Sequence, residues 1–195
     1  MESDIESILD KLQHKNENKG TTTRRFKKEM FDIIMSSNFS GDILEIGTNM
    51  GNTTTILSEV AKRKGINVYS FDINPLNIKK AQDRIKYFGY SNCNVIKKDV
   101  YKEKWGVNNI GCVFIDCVHT EEAFRSDISN SIAVCVDNPI IFAHDYGICD
   151  SGIKSFLDKN KDRFKIVRFV GEKNDWNPLG SSKVCDWEGV QIRFK

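Results

Sequence analysis

Two short stretches of this chain carry residues able to move a proton or hold a cation. Asp116 is followed three positions later by His119, and His144 stands directly before Asp145. An imidazole beside a carboxylate can serve as a general base, because the carboxylate orients the ring and stabilises its protonated form. The same groups can instead ligate a divalent ion, and the carboxylates of Asp116 and Asp145 suit a hard cation such as Mg²⁺, which keeps several waters. Three more acids that could meet a ligand stand upstream, at Glu45, Asp72 and Asp99.

These residues share a local context. Asp42 to Ile46, Asn67 to Phe71, Cys93 to Lys98, Cys112 to Ile115 and Pro139 to Ala143 are short apolar runs that read as strands, and each carries an acid or a histidine at its end. Between them lie helical patterns: Ile56, Leu57, Val60 and Ala61, stopped by Gly65; Ile78, Ala81, Ile85 and Phe88, started by Pro75 and stopped by Gly89; then Phe124, Ile128 and Ile132. Ile153, Phe156 and Leu157 mark a further helix. Phe164 to Val170 and Val190 to Phe194 alternate as an antiparallel pair, joined by a polar loop through Trp176, Pro178 and Trp187. Repeated strand–helix units predict a single α/β, doubly wound Rossmann-like sheet, mostly parallel with an antiparallel C-terminal strand. In such a sheet the carboxyl ends of the strands share one rim, so the acids gather around one crevice.

The amino-terminal part reads differently. Ile5, Ile8 and Leu12 have helical spacing and precede a polar stretch, Gln13 to Gly20, so residues 1–20 read as a helical, polar extension and 21–195 as the domain. Thr21-Thr22-Thr23 can cap a second helix whose apolar face is Phe26, Met30, Ile33 and Ile34. Arg24, Arg25, Lys27 and Lys28 then form a solvated basic face, with a hold on an anionic substrate as the other reading.

The first strand ends in Gly47-x-x-x-Gly51, a turn into a helix whose first backbone N–H groups point above the strand end. The G-x-G-x-x-G dinucleotide fingerprint is absent, since Asn49 and Asn52 occupy two of its glycine positions. Asn49 can still adopt the left-handed conformation a tight turn needs. Asp72 follows the turn at about the spacing of twenty residues at which an acid accepts both hydroxyls of a ribose. Asp99 could accept from an adenine amino group, or simply cap a turn.

As an ordered set, Ile43-Leu44-Glu45-Ile46-Gly47-x-x-x-Gly51, Phe71-Asp72 and Lys98-Asp99-Val100 resemble the motifs of class I S-adenosylmethionine-dependent methyltransferases. Phe114-Ile115-Asp116-x-x-His119-x-x-Glu122 and Phe142-x-His144-Asp145-Tyr146 are similar to the small-molecule O-methyltransferase branch related to macrocin O-methyltransferase and the cephalosporin hydroxylase-like proteins. The resemblance runs from Thr21 to the end. It implies that Glu45, Gly47, Thr48, Asn49 and Gly51 shape the methionine end of a cofactor site, that Asp72 and Ile73 meet the ribose, and that Asp99 and Val100, with Asp116, complete it. It also implies Asp116 and Asp145 as Mg²⁺ ligands in metal-dependent members, which tend to carry paired acids where this chain has His144-Asp145. The implied activity is O-methylation of a hydroxyl on a small molecule or glycan, with Asp116, His119, His144 and Asp145 as the catalytic group.

Composition narrows the remaining classes. At 195 residues the chain suits one domain, burying roughly 70% of its unfolded surface. A net charge of +2 gives none of the strong basic field of a nucleic-acid binder, so a nucleic-acid partner acting through Arg24 to Lys28 is disfavoured. No apolar run approaches the ~20 residues of a membrane span, and the acidic amino terminus lacks an apolar leader, which points to a cytoplasmic protein with no membrane partner. The six cysteines form no C-x-x-C pair and read as reduced and structural rather than as zinc ligands. A module that binds S-adenosylmethionine or another adenosine ligand without turnover is the non-enzymatic alternative, and a homo-oligomer is compatible with every reading.

Overall fold

The computed structural model describes residues 4–12, 22–147, 152–173 and 186–195. The expected polar stretch 13–20, Thr21, the loop residues Trp176 and Pro178, and Cys149 and Cys185 lie outside them. In chain order the elements are α1 (Ile5–Leu12), α2 (Arg24–Ser36), β1 (Asp42–Ile46), α3 (Asn52–Lys64), β2 (Val68–Asp72), α4 (Pro75–Tyr87) and β3 (Cys93–Lys97). Then come β4 (Ile110–Ile115), α5 (Glu121–Val134), β5 (Cys135–His144), α6 (Gly152–Lys159), β6 (Phe164–Lys173) and β7 (Trp187–Phe194).

The strands form one sheet in the order β3-β2-β1-β4-β5-β7-β6. The first five are parallel, while β7 runs antiparallel to both β5 and β6. The order reverses direction between β1 and β4, which opens a crevice over their carboxyl ends. β1 and β4 are buried along nearly their whole length because helices cover both faces, as a central parallel strand requires. One apolar core holds α1, α2 and α3 against the sheet, a second holds α5 and α6, and a smaller third packs α4 against β3. Among the described residues no helix is long and apolar enough to cross a membrane.

Four expectations need correction. Trp187 opens β7 rather than sitting in a loop, because its ring stacks on Phe169 with centroids 5.3 Å apart. β5 begins at Cys135, ahead of the apolar run: Ile110 pairs with Cys135 but Cys112 with Ile140, so the polar residues before Pro139 bulge out of the ladder. Pro139 lacks an N–H and belongs at such an irregularity. On α5 the buried stripe is Phe124, Asp127, Ile128 and Ser131, which leaves Ile132 exposed. Lys27 is buried, its Nζ donating to the Thr22 carbonyl at 2.7 Å, so it does not belong to a solvated face.

Candidate active site

The turn after β1 is built by close approaches. A Cβ on Gly47 would lie 1.8 Å from the Asp116 carbonyl oxygen, and one on Gly51 2.8 Å from Ala81 Cα, so neither position accepts a side chain. Asn49 takes the left-handed conformation between them, with φ of 47°. Its backbone N–H donates to Asp72 Oδ2 at 2.8 Å, which docks the turn onto the end of β2. Asp72 is oriented further by the Asn74 N–H at 2.8 Å and the Asn77 side chain at 3.2 Å.

Against this turn lies a cavity of about 470 Å³, in the size range of small-molecule sites. Gly47, Asn49, Asp72 and Ile73 form one wall, and Asp99, Val100 and Tyr101 another. Asp116, Cys117 and Val118 close its base. Thr48 faces instead a narrow cleft on the other side of the turn, with Thr22, Thr53 and Asp116. Glu45 reaches neither. It is fully buried under the turn, where it accepts from the hydroxyls of Thr54 and Ser70, and burial pushes its carboxyl up to about 8. Glu45 therefore sits as a support of the turn, and Gly51 as the left-handed start of α3.

Asp116 joins the cavity to a second cluster. His144 Nδ1 lies 3.1 Å from Asp116 Oδ1 and 3.0 Å from Asp145 Oδ1, and its Nε2 lies 3.1 Å from Glu188 Oε1. His119, half-buried, places Nε2 2.8 Å from Asp145 Oδ2 and 3.7 Å from Asp116 Oδ1. Burial alone would lower the pKa of His144, but the charges of Asp116 and Asp145 outweigh it and hold the imidazole well above its ordinary range. The same contest raises His119 to about 9. Burial works in the opposite direction on Asp116 and Asp145, and the imidazolium charge of His144 overrides it, so both stay below the usual carboxylate range. Asp145 has φ of 59°, a left-handed backbone that turns its carboxylate back onto both imidazoles.

A family model described as a methyltransferase domain matches residues 44–146, which span the turn, the cavity and most of the histidine–aspartate cluster. The chain belongs to this methyltransferase family. Solved methyltransferases share its fold. The SAH-bound Podospora anserina methyltransferase PaMTH1 is 14% identical with a TM-score of 0.72, covering 98% of this chain and 87% of its own. The O-methyltransferase from Bacillus cereus in complex with SAH is 16% identical with a TM-score of 0.65, covering 98% and 90%. An rRNA methylase from Streptococcus thermophilus is 15% identical with a TM-score of 0.60, covering 89% and 99%. No curated protein matches the sequence.

Within the methyltransferase domain, Mg²⁺ meets an ill-suited donor set. Asp116, His144 and Asp145 are close enough to share one ion, but one of the three donors is an imidazole nitrogen, whereas Mg²⁺ strongly prefers oxygen. Two neighbours of this site are not evident from the sequence. Glu188 is fully buried and binds His144 from β7, a strand whose alternation alone marks it as inward-facing. Asp127 is buried behind Tyr101, whose hydroxyl lies 3.4 Å from Oδ2, and burial pushes this acid up to about 7. Its one signal is the helical spacing it shares with Phe124 and Ile128.

The basic face of α2 is not a free patch. Arg24 pairs with Glu6 and Asp10 of α1, Arg25 with Glu29 and Glu172, and Lys28 with Asp32. These pairs offset part of the positive charge of that face.

Proposed function

We propose that this methyltransferase uses S-adenosylmethionine to methylate a hydroxyl of a small molecule or glycan. The observation that carries the reading is the position of Asp116, which lines the 470 Å³ cavity and contacts both His119 and His144. A cofactor with its ribose at Asp72 and its adenine between Asp99 and Val118 would then deliver its methyl group towards the histidine–aspartate cluster. The O-methyltransferases among the structural neighbours support hydroxyl acceptors.

Methyl transfer from a sulfonium is an in-line displacement, in which the acceptor oxygen forms the new bond as the sulfur–methyl bond breaks. The protein's part is to align the oxygen and receive its proton. His119 is the more accessible imidazole, and Asp145 stabilises the imidazolium formed when His119 takes that proton. A pKa of about 9 makes it a strong base, neutral only in the alkaline range. His144, enclosed by Asp116, Asp145 and Glu188, holds the two aspartates in place.

The test is thermal. S-adenosylmethionine or S-adenosylhomocysteine at 100 times its Kd should add about 2.7 kcal/mol of stability by linkage, and NAD should add none. Absence of a melting shift with both adenosylated ligands would remove the cofactor assignment. Transfer of labelled methyl from the cofactor to a panel of glycans and small phenols then identifies the acceptor class.

A further inference from the structure

We infer that a cavity between α1 and α4 is a second ligand site, which takes an aromatic small molecule carrying a phosphate or a carboxylate. The inference goes beyond the methyl-transfer reading and does not depend on it.

The cavity has a volume of about 490 Å³, in the size range of small-molecule sites, and it shares no lining residue with the cavity at Asp72. Its shape follows from two amphipathic helices. Ile78, Ala81 and Ile85 bury one face of α4, and Lys80, Arg84 and Tyr87, spaced i, i+4 and i+7, share a flank outside that face. Ile5, Ile8, Leu9 and Leu12 anchor α1 to the core, and its last turn brings Lys11 to the same cavity.

Three cations therefore converge against one acid, Asp83. Among the described residues neither Lys11 nor Lys80 has an ion-pair or hydrogen-bond partner. The α2 cations Arg24, Arg25 and Lys28 are by contrast all paired. Like charges gathered without counter-charges repel one another, and a bound anion offsets that repulsion. Arg84 is already ordered, its Nη1 donating to Asn52 Oδ1 at the start of α3, so its charge is in place before a ligand arrives.

The apolar side of the cavity decides what carries the anion. Met50, Tyr87 and Phe88 line it, and the Tyr87 ring stands perpendicular to Phe88 with centroids 5.2 Å apart while 76% of the residue stays exposed. An aromatic held at one edge and left open to water offers a stacking surface for a flat ring. Inorganic phosphate alone would leave that surface unused, and an uncharged ring would leave the lysines unmatched. A ring and an anion on one molecule satisfy both.

The experiment is calorimetric titration of the full chain with phenyl phosphate, benzoate, phenol and inorganic phosphate. Phenyl phosphate or benzoate should bind with a sub-millimolar Kd, at least about tenfold more tightly than phenol or phosphate, and the tighter of the two identifies the anion. Lys80→Glu should weaken that binding about 10- to 100-fold, and Tyr87→Ala about 3- to 10-fold. Both side chains are exposed, so the variants should keep the wild-type melting temperature. Failure of both aromatic anions to bind in the millimolar range overturns the inference, as does binding that Lys80→Glu leaves undiminished. Phosphate binding as tightly as phenyl phosphate removes the aromatic ligand class. Displacement of the bound probe by S-adenosylhomocysteine would put it in the cavity at Asp72 and overturn the second site.

Discussion

Glu188 Oε1 stands 3.1 Å from His144 Nε2 and 2.7 Å from the backbone nitrogen of Thr23, so one buried carboxylate holds both the central imidazole and the start of α2. The negative charge also lies at the positive end of that helix. Glu188→Ala should therefore cost roughly 1–3 kcal/mol, since it leaves the His144 Nε2–H and the Thr23 N–H without their buried acceptor while Asp116 and Asp145 still hold the imidazole. Urea unfolding measures this, and a loss below about 0.5 kcal/mol would show that the carboxylate holds nothing.

Asp72 tests the proposed cofactor wall. Its carboxylate already accepts from Asn49, Asn74 and Asn77, so a ribose would meet an oriented acceptor. Asp72→Ala should weaken S-adenosylhomocysteine binding about 10- to 100-fold, the worth of a hydrogen bond to a charged group. Unchanged affinity in a calorimetric titration would place the ribose elsewhere.

Two glycines that both need positive φ should behave differently. Gly47 has φ of 100° and no room beside Asp116, whereas Gly65 has φ of 70° and nothing within 4 Å of the place a Cβ would occupy. Gly47→Ala should abolish cofactor binding and lower the melting temperature strongly, while Gly65→Ala should cost only about 1 kcal/mol. Equal losses in a side-by-side melt would contradict the close-approach account.

Stability should fall as pH rises from the ordinary glutamate range to about 8, because buried Glu45 keeps its proton in the folded chain and loses it in the unfolded one. The folded state binds more protons throughout that window, so each step up in pH favours unfolding. Asp127, raised to about 7, contributes with the same sign over a narrower window. Glu45→Gln should reduce the decline between about pH 5 and pH 8, leaving the Asp127 component and, above the ordinary histidine range, those of His119 and His144, as read from urea midpoints at the two pH values. A variant that keeps the full wild-type slope would mean that Glu45 is ionised in the fold.

The fold was legible because most parallel strands are short apolar runs and because α3 and α4 end at glycines, Gly65 and Gly89. The cavity wall was legible for a related reason: Asp72, Asp99 and Asp116 follow three strands that topology brings to one rim. What escaped depends on contacts that sequence spacing does not encode. Glu188 meets His144 across 44 residues and an antiparallel return strand, and Lys27 looked solvent-facing until the Thr22 carbonyl claimed its ammonium. Spacing also did not say on which side of the rim Glu45 lies, since an acid at the end of β1 can point over the rim or beneath the turn, and Thr54 and Ser70 draw it beneath.

With β7 inserted between β5 and β6, the two halves of the site draw on contacts of different sequence separation, and the shorter-range pairings are the faster to close. The cavity is assembled at the ends of β1, β2, β3 and β4, which pair in parallel and all precede β5 in the chain. Glu188 arrives only when the last strand slots beside β5. A chain caught before that step would present a finished cavity wall beside an imidazole with one flank unguarded, so pulse-labelled hydrogen exchange should find β1 protected earlier than β7.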